Sequence, residues 1–182
     1  MNIREWIADN IGYRFLGCAY TKQHDKIFES LIDIIPTEFK NKEISDLGCG
    51  DGSNTIRIKN IFKAMKIVGY ERNIFLIKKA RMRGLKVMNW DLNNGIPKGE
   101  MAVFSFAFHH IRNKDKITVL KKVKKHFKYI FLIEPMRDLY HALFDAGYPL
   151  SKKKWIKVFD MALGKYILYE RGNNLIVFYQ AV

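Results

Sequence analysis

The chain has 182 residues, enough for one domain with a hydrophobic core and too few for two. Its hydrophobic content of 48%, with 14% aromatics, excludes a disordered polymer. The 32 Lys and Arg against 18 Asp and Glu give a net charge of +14, which raises the expectation of a polyanionic partner. Those charges are spread over several predicted helices, however, as they would be on a solvated surface.

Two cysteines, Cys18 and Cys49, make neither a disulfide framework nor a zinc site, so reduced thiols in a cytoplasmic protein and no metal centre are expected. The N-terminus carries acidic residues within its first ten positions and no apolar run after a basic start, so no secretory signal is read. The longest apolar stretch, Met101 to Phe108, is too short to span a bilayer.

In chain order, a helix is predicted from about Tyr20 to Ile35, with Ile27, Phe28, Leu31, Ile34 and Ile35 on one face and Pro36 as its stop. A first strand at Glu43–Leu47 runs into a glycine-rich turn and a helix from Asn54 to about Met65. A second strand, Ile67–Tyr70, ends at Glu71. The helix after it runs to Arg83, with Asn73 as N-cap and Gly84 as C-terminal stop. A third strand, Leu85–Trp90, ends at Asp91, and after Asn93-Asn94-Gly95 a fourth, Ala102–Phe106, leads into His109 and His110. Ile117, Leu120, Val123 and Phe127 recur at helical spacing as a buried stripe, followed by a fifth strand, Tyr129–Ile133, and Glu134-Pro135. Helical segments are read near Asp138–Ala146 and Lys153–Leu163. Strands Tyr166–Arg171 and Leu175–Gln180, joined by Gly172-Asn173-Asn174, make an antiparallel hairpin. The expected class is therefore α/β: a doubly wound, mostly parallel sheet of about seven strands closed by that hairpin.

The informative stretch is Asp46-Leu47-Gly48-Cys49-Gly50-Asp51-Gly52-Ser53. Glycines there let the chain turn sharply out of a strand and let a ligand approach the backbone. The following helix presents its free N–H groups. Dinucleotide-binding proteins share this logic, but their G-x-G-x-x-G fingerprint needs glycine at 53, where this chain has Ser53. A phosphate-binding P-loop would need a G-K-[ST] triplet, and none follows. Asp46, two positions before the first glycine, suits a ligand with a cationic end better than a pyrophosphate.

The stretch from Asp46 to Gly52 resembles motif I of the class I S-adenosylmethionine-dependent methyltransferases. The resemblance extends over about residues 43 to 135 and includes further strand-end residues in the same order. Glu71 is similar to the acid that meets the ribose hydroxyls, and Asp91 to the acid at the adenine amino group, with Trp90 or Leu92 beside the ring. The run Phe106-Ala107-Phe108-His109-His110-Ile111, and Ile133-Glu134-Pro135 after it, resemble the small-molecule "type 11/12" branch. The resemblance implies a Rossmann-like methyltransferase fold in a single domain, residues 1–182. S-adenosylmethionine is the implied cofactor and S-adenosylhomocysteine the product. The implied cofactor-binding set is Asp46, Gly48, Cys49, Gly50, Gly52, Glu71, Arg72, Trp90, Asp91, Leu92 and Phe106. A cap region at 1–36 and a substrate lid at 136–164 are expected to close the site.

Methyl transfer requires an acceptor lone pair aligned opposite the sulfur, with water excluded. A general base is needed only where the acceptor must lose a proton. His109 and His110 are the candidates, since an imidazole titrates near pH ~6.5. Tyr20 and His24 are expected at the same opening. No Asn/Asp-Pro-Pro-Tyr/Phe tetrad and no Pro-Cys pair is present, which disfavours nucleobase amino- and cytosine-C5-methylation. Three readings stay open: methylation of a small molecule, methylation of RNA or protein, and a non-catalytic cofactor-binding subunit.

Overall fold

A computed structural model describes residues 24–137 and 147–181; Cys18, Tyr20 and the helix expected at 138–146 lie outside the described residues. Seven strands form one sheet in the order β3-β2-β1-β4-β5-β7-β6. They are β1 (Glu43–Leu47), β2 (Lys66–Glu71), β3 (Val87–Asn89), β4 (Met101–Ser105), β5 (Tyr129–Pro135), β6 (Ile167–Arg171) and β7 (Asn174–Gln180). The first five pair in parallel, and β7 enters antiparallel between β5 and β6. All residues of β4 and β5 are buried, as befits central parallel strands covered on both faces.

Side-chain alternation divides the core. Met101, Val103, Phe131 and Phe178 point to one face, where they meet Phe28 of α1 (residues 24–29), Leu31 just after it and Ile58 of α2 (Ser53–Ile61). Ala102, Phe104, Ile130, Leu132 and Val177 point to the other. There they pack on Leu120 and Val123 of α4 (Lys116–His126) and on Trp155 and Phe159 of α5 (Lys152–Ala162). Helix α3 (Ile74–Met82) covers β3 through Ile77 and Ala80 against Val87. Among the described residues no helix is long and apolar enough to cross a membrane.

Several elements are shorter than their sequence pattern. The first helix stops at residue 29: the Ser30 hydroxyl donates to Ile27 O at 2.7 Å, and Leu31, Ile32 and Ile34 donate to carbonyls three residues back, tightening the chain into turns. Helix α2 ends at Ile61, because fully buried Phe62 and left-handed Lys63 (φ 50°) reverse the chain so that Met65 N reaches Lys42 O. Strand β3 keeps only three residues: Leu85 N is still bonded to Ala80 O of the preceding helix, and at the other end the Trp90 indole turns to Gly95 O. Strand β4 stops one residue early, because Phe106 has φ 54° and leaves the extended region. On α4, Lys116 is fully buried with Leu120 and Val123, and Ile117 packs half-buried on the same cluster.

Candidate active site

Strand register brings the relevant turns to one edge. Leu47 pairs with Tyr70, Glu71 with Asn89, and Ser105 with Ile133, so the glycine turn, the Glu71 turn, Trp90-Asp91 and the loop after β4 leave the sheet side by side. This carboxyl-end crevice is where open α/β sheets bind ligands.

Gly48, Gly50 and Gly52 all have positive φ, at 80°, 56° and 81°. The turn is fastened by Gly48 N to Tyr70 O at 2.8 Å and by Gly50 N to Glu71 Oε2 at 3.0 Å. The other Glu71 oxygen accepts from Arg72 N and Asn73 N, both at 2.8 Å. Glu71 therefore binds the glycine turn to the start of α3. Cys49 is buried, and burial pushes its thiol well above the usual range. Arg72 is exposed at the Glu71 turn. Asp91 caps the short turn Leu92–Asn94 through Asn93 N at 2.9 Å, and Trp90 lies edge-on to Tyr70, ring centres 6.2 Å apart.

Asp46, at the end of β1, is 1% exposed. Its Oδ2 accepts from Thr55 Oγ1 of α2 at 2.6 Å, while its Oδ1 is buried with no hydrogen-bond partner. Burial raises its pKa from 3.8 to about 7, with Glu71 adding repulsion and the Thr55 hydroxyl opposing the rise. A native pKa above the unfolded one means the folded chain binds more protons between pH 3.8 and about 7. The stabilising contribution is present below that window and is lost as pH rises through it. We expect the melting temperature of the wild-type chain to fall relative to Asp46→Asn as pH rises from 4 to 7. A constant difference across this range would show that Asp46 ionises normally. An unpartnered buried carboxylate oxygen beside a turn open to backbone approach suits a ligand that brings a cationic group.

The loop after β4 is held at both poles of its backbone. Glu134, fully buried on β5, accepts from Ala107 N (3.0 Å) and Phe108 N (2.7 Å) through Oε1, and from His109 N (3.0 Å) through Oε2. His109 Nδ1 lies 2.7 Å from the same Oε2; since an ionised carboxylate only accepts, Nδ1 carries the proton. Lys116, also fully buried, donates to His109 O at 3.2 Å and to Ile111 O, with its ammonium over the Trp155 ring at 5.4 Å. Burial lowers the Lys116 pKa to about 8, and the Glu134 charge opposes that shift. The lysine occupies the core position of α4 because loop carbonyls satisfy its ammonium.

His109 is thus a buried member of this clamp, whereas His110 is exposed beside it, the two rings 4.2 Å apart. Phe106, strained into the left-handed region, stacks on His24 of α1 at 4.1 Å between ring centres. The His24 pKa falls to about 4 through burial. Helix α1 is pinned beside the site by Asp25–Arg57 and by His24 Nδ1 near Asn54 Nδ2 at 3.4 Å. Thr55, Lys116 and the clamping role of Glu134 do not emerge from sequence motifs. The available signals were an acid after an unbroken apolar strand, and a lysine four residues before Leu120 on the buried stripe.

No family model and no curated protein sequence matches the chain. Solved structures do. An O-methyltransferase family 2 protein from Planctomyces limnophilus, in complex with apigenin, is 13% identical and superposes with a TM-score of 0.69 over 100% of this chain and 62% of its own. Magnesium protoporphyrin IX methyltransferase from Synechocystis with bound SAM is 11% identical, with a TM-score of 0.67 over 94% of this chain and 85% of its own. The chain has the fold of these methyltransferases. The mitomycin 7-O-methyltransferase MmcR is 17% identical, with a TM-score of 0.62 over 78% of this chain, and this chain spans only 49% of its length. At such identities the likeness establishes the Rossmann-like methyltransferase fold, with its mostly parallel sheet and C-terminal antiparallel hairpin.

Proposed function

We propose that the chain binds S-adenosylmethionine at the glycine turn and directs its methyl group to a small-molecule acceptor. The observation that carries this reading is the set of strand-end carboxylates. In a chain with a net charge of +14, the ends of β1 and β2 carry Asp46 and Glu71, and Asp91 follows β3, beside a turn of three positive-φ glycines. That edge suits a cationic, hydroxyl-bearing ligand. Support comes also from solved neighbours whose structures contain SAM, as in the Synechocystis enzyme, or SAH, as in PigF.

When bound, the cofactor supplies a methyl group already activated by a positive sulfur. The chain's own residues bind, orient and exclude water. Gly48, Gly50 and Gly52, with Cys49 between them, admit the ligand to the backbone, and Asp46 offers its unpartnered oxygen to a cationic group. Glu71, with Arg72 beside it, is assigned to the ribose hydroxyls. Asp91 is assigned to the adenine edge, with Trp90 and Leu92 against the ring. Phe106 closes the far side, its ring backed by His24. His110 is assigned the role of taking a proton from the acceptor. His109 orients the loop that carries it, since its Nδ1 proton is committed to Glu134. Region 136–164 and the chain before α1 are assigned to the acceptor side. The small-molecule neighbours favour a compact acceptor over RNA or protein.

The test is calorimetric titration with S-adenosylmethionine and, separately, with NAD. Micromolar binding of the first alone is expected. Glu71→Gln should weaken it about tenfold or more, the cost of a hydrogen bond to a charged group. Binding of NAD alone would overturn the reading. Cofactor binding without methyl transfer to any of a panel of hydroxylated and amino acceptors would favour a non-catalytic cofactor-binding subunit.

A further inference from the structure

Six exposed lysines stand together on one face of the molecule. Helices α4 and α5 lie side by side over the β4–β5–β7 face and run in the same direction: Lys116 near the start of α4 meets the Trp155 ring near the start of α5, and Lys124 donates to Leu163 O at their ends, at 2.7 Å. The buried residues of the two helices, Leu120 and Val123 on one and Trp155, Val158 and Phe159 on the other, point to the sheet. Their outer faces therefore form one continuous surface. On it stand Lys121, Lys122, Lys125, Lys153, Lys154 and Lys157, all exposed.

The acids near these helices are fewer than the lysines and offset that surface only in part. Asp115 pairs with Arg112, and Asp160 accepts from Tyr166 at 2.8 Å. The opposite layer also carries cations, but several are engaged there: Arg57 is paired with Asp25, Arg83 with Asp51, and Arg81 donates to Val87 O. Lysines three and four residues apart on a helix repel one another, so this array gains by meeting an anionic surface.

We propose that the α4–α5 face binds the phosphate backbone of a nucleic-acid duplex. The lysines extend over about 16 Å, from the start of α5 to the end of α4, at 1.5 Å per residue. A duplex presents a charge every ~1.7 Å of its axis, so such a stripe can meet several phosphates at once. Single strands are bound on exposed aromatic platforms, and this face offers none: α4 has no Phe, Tyr or Trp, and Trp155 and Phe159 of α5 are buried. Membrane-surface helices insert a row of apolar side chains, whereas Met161 is the one large hydrophobic exposed on these two helices. The binding is sequence-independent and does not rest on the reading of the cofactor site.

The experiment is fluorescence anisotropy with a labelled duplex of about 20 base pairs, at several salt concentrations. Micromolar affinity at low salt is expected, with log K falling against log salt at a slope of about −5 for six contacts. Lys121→Gln/Lys122→Gln/Lys125→Gln should raise Kd about tenfold or more and reduce the slope by about three, one per lysine removed. Lys59→Gln/Lys63→Gln, exposed on the opposite layer, should change Kd less than about twofold. Equal effects of the two variants, or no binding at low salt, would overturn the proposal. So would tighter binding to phosphatidylglycerol vesicles than to the duplex. All substitutions are at exposed positions, and unchanged melting temperatures exclude a folding effect.

Discussion

Glu134→Ala is expected to lower the unfolding free energy by about 3–5 kcal/mol, a large share of the ~5–15 kcal/mol that holds a domain together. The carboxylate is fully buried, and its two oxygens satisfy the amides of Ala107, Phe108 and His109 together with His109 Nδ1. Removing it strands these donors away from water and leaves the buried Lys116 ammonium without its nearby opposite charge. Glu134→Gln should cost less, since one acceptor oxygen is kept, yet its amide nitrogen would still face N–H donors. Urea titration of the three proteins checks the order. A loss below about 1 kcal/mol for the alanine variant would mean that the loop finds other partners.

Gly48→Ala is expected to destabilise by about 2–5 kcal/mol, combining left-handed backbone strain with overpacking. An added Cβ at this position, φ 80°, would sit 2.8 Å from the Ala107 Cβ. Neither side can yield easily. Gly48 N is fixed to Tyr70 O and Ala107 N to Glu134, so the glycine turn and the loop after β4 are packed rigid against rigid. Cofactor affinity should fall at least about tenfold with the distortion of the turn, equivalent to ~1.4 kcal/mol or more of binding free energy. Gly84→Ala is the internal control: its φ is 79°, but nothing lies within 4 Å of the added carbon. It should cost about 1 kcal/mol through backbone strain alone and leave cofactor affinity unchanged. Equal losses in the two variants would show that φ, and not the Ala107 contact, governs position 48.

The local chemistry of the sheet was legible without coordinates. The largely apolar runs at 102–106 and 129–133 located central strands to within one or two residues, because strands buried on both faces are largely apolar. Asn73 was readable as an N-cap, and its side chain accepts from Phe75 N and Leu76 N. The terminal hairpin followed from Gly172-Asn173-Asn174, and Gly172 has φ 53°. Element ends were less legible. Ser30, Lys63 and Leu85 end or delay their elements through contacts with other parts of the chain or through local turns that compete with periodicity.

What the sequence determined by itself was the α/β alternation, the glycine turn with Asp46, and the placing of Glu71 and Asp91 at strand ends, since period and turn chemistry are local properties. What only the tertiary structure decided was the division of roles around that turn. The pairing of Glu134 with amides 25 to 27 residues away, the burial of Lys116 over Trp155, and the difference between buried His109 and exposed His110 all depend on which strands lie side by side. A buried charge has no local signature beyond its residue type. Its cost is offset by partners that the chain brings near only when it closes the sheet.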